Sequence, residues 1–221
     1  MKIYICGDST AAIYGPELAP LTGWGQLLPE LMPESDIDNR AFAGRSTKTF
    51  ISEGRLKAIE PLLSPGDLML IQFGHNDEGD KPERHTEPWA DFTDNLNTFI
   101  DTALDRGAQP VLMTPICIRR WEGGILMPSH GEYLEAIVAR ARQRGVPLVD
   151  MYAASRAIVI GLGDEGSKAL FMHLSPGEYP HWPDGSKDDT HTRKQGAMAF
   201  ARAAVEGLTR QKLIDREVSR S

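Results

Sequence analysis

The sequence is short of cysteine, of positive charge and of long apolar runs, and each shortage excludes something. Only two cysteines, Cys6 and Cys117, occur in 221 residues. They have no metal-binding or redox spacing, so they read as free thiols, with Cys6 a small buried hydrophobe. Lys and Arg number 24 against 31 Asp and Glu, a formal net charge of −7. Nucleic acid and anionic membrane both call for a basic face, so neither is expected as a partner and a small or neutral substrate fits better. No apolar run approaches the ~20 residues of a membrane-spanning helix, and the run after Lys2 is too short for the apolar region of a signal peptide. On that reading the chain is cytoplasmic, unless a leader has been removed. His85, His130, His173 and His181 lack metal-ligand spacing, so neither a metal site nor a cofactor is expected.

What is present is an ordinary globular composition, 41% hydrophobic and 25% charged, which suits one α/β domain over residues 1–221 with disorder expected only at 216–221. Strands are read at 2–6, 36–42, 67–73, 110–114 and 146–149. The third, Asp67-Leu68-Met69-Leu70-Ile71-Gln72-Phe73, is a near-continuous apolar run of the kind found in sheets covered on both faces. Helices are read at 10–14, 26–32, through Ile51, 56–63, 89–106, 131–144, 151–160 and from Thr192 to about Leu213. The last is expected to begin with a capping box of Thr192 and Gln195. Residues 115–129 read as an irregular connection and 161–187 mostly as loop. Strands alternating with helices imply a five-stranded parallel sheet with helices on both sides.

Three strands end in glycine-containing polar turns, Gly7-Asp8-Ser9, Ala43-Gly44-Arg45 and Gly74-His75-Asn76-Asp77. In a parallel sheet such turns share the carboxyl edge, where ligands bind. Ser9 is the candidate nucleophile there, although by itself it better fits a helix cap, and only the rest of the chain overturns that reading. Asp188-Asp189-Thr190-His191 supplies what a serine nucleophile needs. A carboxylate three residues before a histidine can fix the imidazole tautomer and leave Nε2 free to take the serine proton. Taken alone, His191 equally fits an exposed turn with the aspartates as caps.

Together the four blocks resemble the SGNH, or GDSL-like, hydrolase superfamily. They occur in the right order across nearly the whole chain, with Gly-Asp-Ser-Thr in place of Gly-Asp-Ser-Leu. The resemblance implies a flavodoxin-like three-layer α/β/α sandwich and ester hydrolysis through an acyl-enzyme. Ser9 would be the nucleophile, His191 the general base and acid, and Asp188 the orienting carboxylate. The backbone N–H groups of Ser9 and Gly44 and the amide of Asn76 would form the oxyanion hole. The variant first block, the His75 within Gly-His-Asn-Asp, and Asp-Asp-Thr-His-Thr before a helix are similar to the rhamnogalacturonan acetylesterase branch.

That branch implies removal of O-acetyl groups from pectin-derived oligosaccharides. A lysophospholipase or thioesterase is the alternative within the fold, and a non-catalytic saccharide-binding module is the alternative outside catalysis. Arg45, Arg119, Arg120, Trp121 and Trp182 fall in segments expected around the sheet's carboxyl edge. They offer charged forks and flat faces suited to an anionic saccharide rather than to a lipid. His75 is expected to shape the acyl pocket. Asp8, Asp77 and Asp189 are expected to hold turns, and Trp24 and Trp89 to pack at helix starts. The oligomeric state is left open.

Overall fold

The computed structural model describes residues 1–215; the expectation of disorder at 216–221 lies outside them. In chain order the strands are β1 (Lys2–Gly7), β2 (Asp36–Asn39), β3 (Leu68–Gln72), β4 (Gln109–Met113), β5 (Trp121–Glu122), β6 (Ile125–Leu126), β7 (Leu148–Val149), β8 (Phe171–Leu174) and β9 (Ser186–Thr192). The α-helices are α1 (Leu28–Leu31), α2 (Thr47–Ser52), α3 (Arg55–Ile59), α4 (Thr93–Leu104), α5 (Gly131–Arg144), α6 (Met151–Ser167) and α7 (Lys194–Arg210). Five strands form a parallel sheet in the order β2-β1-β3-β4-β7. That is the flavodoxin-like order, in which the chain reverses direction across the sheet between β1 and β3 and opens a crevice at their carboxyl ends. Among the described residues no helix is long and apolar enough to cross a membrane.

Period-two alternation in the strands feeds two cores. Ile3, Ile5, Leu68, Leu70, Val111 and Met113 face one layer, built from α1, α6 and α7 through Leu28, Val159, Phe200 and Leu208. Tyr4, Cys6, Met69, Ile71 and Leu112 face the other, built from α2 to α5 through Phe50, Ile59, Phe99 and Ile137. Phe50, Phe73 and Phe99 meet there with ring centroids 5.2–5.7 Å apart. Burying each such side chain contributes on the order of 2–3 kcal/mol, and both faces of the sheet are covered. The apolar run of β3 is continuous because both of its faces are buried.

Several local expectations are corrected. Residues 10–14 are not a helix, because the carbonyls that would accept helical bonds are taken elsewhere. Thr10 O accepts from Trp24 N (2.9 Å) and Ala11 O from Asn39 Nδ2 (2.7 Å), while Tyr14 N, the natural donor to Thr10 O, bonds to Gln26 Oε1 instead (3.0 Å). The connection 115–129 contains a hairpin, β5 against β6, turned by Gly123 and Gly124 at φ 56° and 80°. Two consecutive positive φ angles are what a tight two-residue hairpin turn requires. Within 161–187, α6 breaks at Gly163 (φ 71°, ψ −179°) and a further helical turn follows to Ser167, and β8 pairs antiparallel with β9 in a small separate sheet. The capping box at Thr192 is absent: its hydroxyl donates to Thr22 O at 2.6 Å and Arg193 stands at the helix start instead.

Candidate active site

The site begins where β1 ends. Asp8 is fully buried, and its Oδ1 accepts from Thr10 N (2.9 Å) and Thr10 Oγ1 (2.8 Å), bending the chain so that Ser9 stands at the sheet's carboxyl edge. Tyr14, which sequence reasoning passed over, donates its hydroxyl to Ser9 O at 2.8 Å and braces the same turn. Gly44 follows β2 at φ 77°, a left-handed conformation that a side chain would strain. Asn76 follows β3 and is held at both ends of its amide, donating to Arg45 O (3.1 Å) and accepting from Arg84 Nη1 (3.3 Å). One amide N–H remains. Among the described residues the backbone N–H groups of Ser9 and Gly44 have no protein acceptor.

His191 and Asp188 arrive from outside the parallel sheet. Register in the small sheet jumps from Phe171 opposite Thr192 to Met172 opposite Asp188, so residues 189–191 bulge from the ladder. In a regular strand, residues three apart point to opposite faces; the bulge brings Asp188 and His191 together. Asp188 Oδ2 meets His191 Nδ1 at 2.7 Å, and its Oδ1 accepts from the backbone N–H groups of Thr190 (2.8 Å) and His191 (2.9 Å). His191 Nε2 lies 2.9 Å from Ser9 Oγ. Burial alone would lower the imidazole pKa, but the hydrogen bond and charge of Asp188 outweigh it and hold the group above its ordinary value. Burial likewise opposes ionisation of Asp188, yet the His191 bond and the two backbone donors leave its carboxyl below the usual range. This line of donors and acceptors can carry a proton from the serine hydroxyl to the imidazole.

A cleft of about 450 Å³ opens over these atoms, lined by Ser9, Gly44, Asn76 and His191 together with His75, Arg84 and Trp182. This is an ordinary size for a small-molecule site. His75 is nearly buried, its Nδ1 3.3 Å from Asp8 Oδ2, within reach of charge attraction but out of line for a hydrogen bond. Trp182 donates to Leu18 O at 3.4 Å and lines the cleft. Among the described residues no three His, Cys, Asp or Glu side chains cluster in a way that could hold a metal ion.

Four of the expected ligand contacts are corrected. Arg119 is only 3% exposed, and its guanidinium is used internally on Ser167 Oγ (3.0 Å), Asp189 Oδ1 (2.7 Å) and Asp164. It braces α6 against β9. Arg45 pairs with Glu53 at 2.9 Å and stacks on Phe42, away from the cleft. Trp121 packs against the core beside α6 and α7. Arg120 is exposed beside Glu122 and borders a neighbouring cleft with Glu78 and His130. Arg84 went unnoticed because 78–88 read as a polar loop; its place after the β3 block, at the carboxyl edge, was the available signal.

Comparison with known proteins places the fold in a family. The model of the GDSL-like lipase/acylhydrolase family matches residues 5–199. Rhamnogalacturonan acetylesterase RhgT of Bacillus subtilis is 41% identical over 94% of this chain and 89% of its own length. The crystal structure of the Bacillus subtilis protein YxiM superposes with a TM-score of 0.81 at 30% identity, covering 96% of this chain; the chain spans 56% of that protein. An acetylxylan esterase from Geobacillus stearothermophilus shares the fold with a TM-score of 0.66 at 18% identity, over 100% of this chain and 97% of that one. The chain therefore belongs to the GDSL-like lipase/acylhydrolase family and is a carboxylic ester hydrolase.

Proposed function

We propose that the chain is a serine O-acetylesterase that removes acetyl groups from pectin-derived, rhamnogalacturonan-type oligosaccharides through an acyl-enzyme. The observation that carries this reading is the unbroken line from Asp188 through His191 to Ser9 Oγ, at 2.7 and 2.9 Å, on the floor of a cleft with unused N–H donors. Neutral His191 takes the Ser9 proton at Nε2 while Oγ attacks the acetyl carbonyl carbon. The tetrahedral oxyanion lies among the N–H groups of Ser9 and Gly44 and the free amide hydrogen of Asn76, donors already in place before charge develops. As the ester C–O bond breaks, His191 passes its proton to the departing sugar oxygen. Water then repeats the sequence on the acetyl-serine and releases acetate. Asp188 keeps Nδ1–H oriented and stabilises the imidazolium in both halves.

Substrate class rests on the relatives and on the cleft. Two curated relatives from separate organisms carry the name rhamnogalacturonan acetylesterase. The cleft mixes polar groups with an aromatic side chain, Trp182, a lining that suits a sugar better than an acyl chain. Acetate release from acetylated rhamnogalacturonan and acetylated xylan, with a p-nitrophenyl ester series of rising chain length, tests the reading. Release from the pectin-derived substrate and a clear preference for acetate are expected. A preference for octanoate would move the assignment to a lipid or thioester substrate. Full activity in Ser9→Ala would remove the serine mechanism.

A further inference from the structure

We propose that Arg84 recognises a carboxylate on the substrate, so that the cleft selects acetylated uronic acid residues over neutral acetylated sugars. The inference rests on the carbohydrate esterase reading above and assigns to it a specificity residue. Among the described residues Arg84 is the one lysine or arginine that lines the cleft. Its neighbours among the arginines are neutralised locally: Arg45 by Glu53, Arg119 by Asp164 and Asp189, Arg193 by Glu178. Among the described residues Arg84 makes no ion pair. In a chain with seven more acids than bases, a cation left without an acid beside a reactive serine is the exception.

The guanidinium is also placed with care. Its nitrogens lie 3.3 Å from where a Cβ on Gly44 would sit, so it rests flat against the glycine of the oxyanion hole. One N–H donates to Asn76 Oδ1 at 3.3 Å. Of the five donors in the fork, that is the one with a protein partner, which leaves enough for bidentate recognition. The loop that delivers it is tied down. Arg84 N and His85 N both donate to Lys81 O at 2.9 Å, and Lys48 Nζ caps Pro82 O (3.2 Å) and His85 O (3.4 Å). Thr86 Oγ1 reaches the buried Asp77, and Tyr133 holds Thr86 O. The remaining charge in the cleft restricts where an anion fits. Asp188 is engaged with His191 and Asp8 sits beneath His75, so a second carboxylate is repelled on the histidine side and attracted on the Gly44 side. The carboxylate and the acetylated oxygen therefore belong to one sugar ring or to adjacent rings.

The test uses one acetylated galacturonate oligosaccharide in two forms, free acid and methyl ester, with acetate release as the readout. The wild-type enzyme should prefer the free acid in kcat/KM by about tenfold or more, mainly through KM, and about 0.5 M salt should erode that preference. In Arg84→Gln the acid-to-ester ratio should collapse towards one, and Arg84→Lys should keep part of it, retaining charge without the fork. Because the readout is a ratio within each protein, a general loss of activity does not disguise the result. An Arg84→Gln variant that keeps the wild-type ratio while losing kcat on both forms would show that Arg84 acts only through Asn76, and would overturn the proposal. A wild-type enzyme that releases acetate from both forms equally, insensitive to salt, overturns it without any variant and leaves the esterase reading standing. Release from neither form, with activity on acetylated xylan, would overturn the rhamnogalacturonan reading and this inference together.

Discussion

Ser9, Gly44 and Asn76 each follow a strand of the central parallel sheet, whereas Asp188 and His191 stand on β9, which pairs with β8 in a sheet of its own. The first group inherits its position from a buried scaffold: β1 and β3 are covered on both faces, and the turns after them are fixed by buried polar groups such as Asp8 and Asp77. The second group is held by a few specific ties. Thr22 N donates to Thr192 O at 2.9 Å, Thr192 Oγ1 returns a bond to Thr22 O, and the Arg119 guanidinium and N–H both reach Asp189. The proposed oxyanion donors thus stand on the sheet's own turns, while the proposed proton-handling pair is a module strapped to it. Damage to the module's ties should reach catalysis without touching the main core.

The comparison breaks most sharply at the nucleophile. Ser9→Ala should abolish turnover, a loss of about 10⁶-fold in kcat by the scale of other serine nucleophiles, with thermal unfolding little changed because the hydroxyl packs against no core. Steady-state kinetics on p-nitrophenyl acetate checks both halves of that statement when paired with a melting curve. On the module, Asp188→Asn should lower kcat about 10⁴-fold, since an amide stabilises the wrong tautomer. The same substitution should move the pH profile. In the wild type, the proposed mechanism needs neutral His191, whose pKa Asp188 holds above the ordinary imidazole range, so kcat/KM should rise with pH through a midpoint above that range. Without the carboxylate, burial outweighs the weaker charge of Asp8 and the midpoint should fall. A midpoint that stays put would mean that another group governs the profile.

Smaller effects sharpen the distinction. Asn76→Ala removes one oxyanion donor and should cost about 10²–10³-fold in kcat with little change in KM. Arg119→Met cuts a strap rather than a reacting group. Three partners lose a buried cation, so stability should fall by about 2–4 kcal/mol in denaturant unfolding, and activity should fall about tenfold through loosened β9. That loss should be the same for p-nitrophenyl acetate and for a charged oligosaccharide. A loss confined to the oligosaccharide would instead put Arg119 in contact with ligand, as its sequence position first implied.

The two regions also differ in how far they can be read from sequence. The central sheet was legible because its signal is local: Leu68–Gln72 is apolar without interruption, and glycine marks the turn after each of the first three strands. The order of the four motif blocks was legible for the same reason. The β8–β9 sheet was not, since Ser186–Thr192 carries four charged or titratable side chains in seven residues and lacks apolar alternation. Its strands exist because they pair with each other and with Thr22, a contact 170 residues away in sequence. Arg119 and Arg84 show the same limit in side chains. Both are arginines in polar connections, and only tertiary structure separates the one consumed by Asp164 and Asp189 from the one left facing the cleft. The helix expected at 10–14 failed because Trp24 and Asn39 take the carbonyls of Thr10 and Ala11 and Gln26 takes the N–H of Tyr14.

The central claim is that Ser9 carries the acetyl group between substrate and water. Rapid acid quench of the wild-type enzyme during turnover of p-nitrophenyl acetate, followed by peptide mass spectrometry, tests it directly. The account requires one added acetyl group on the peptide containing Ser9, absent from Ser9→Ala and formed no more slowly than turnover. Acetyl found stably on another side chain at that rate, or turnover in Ser9→Ala undiminished, would contradict it.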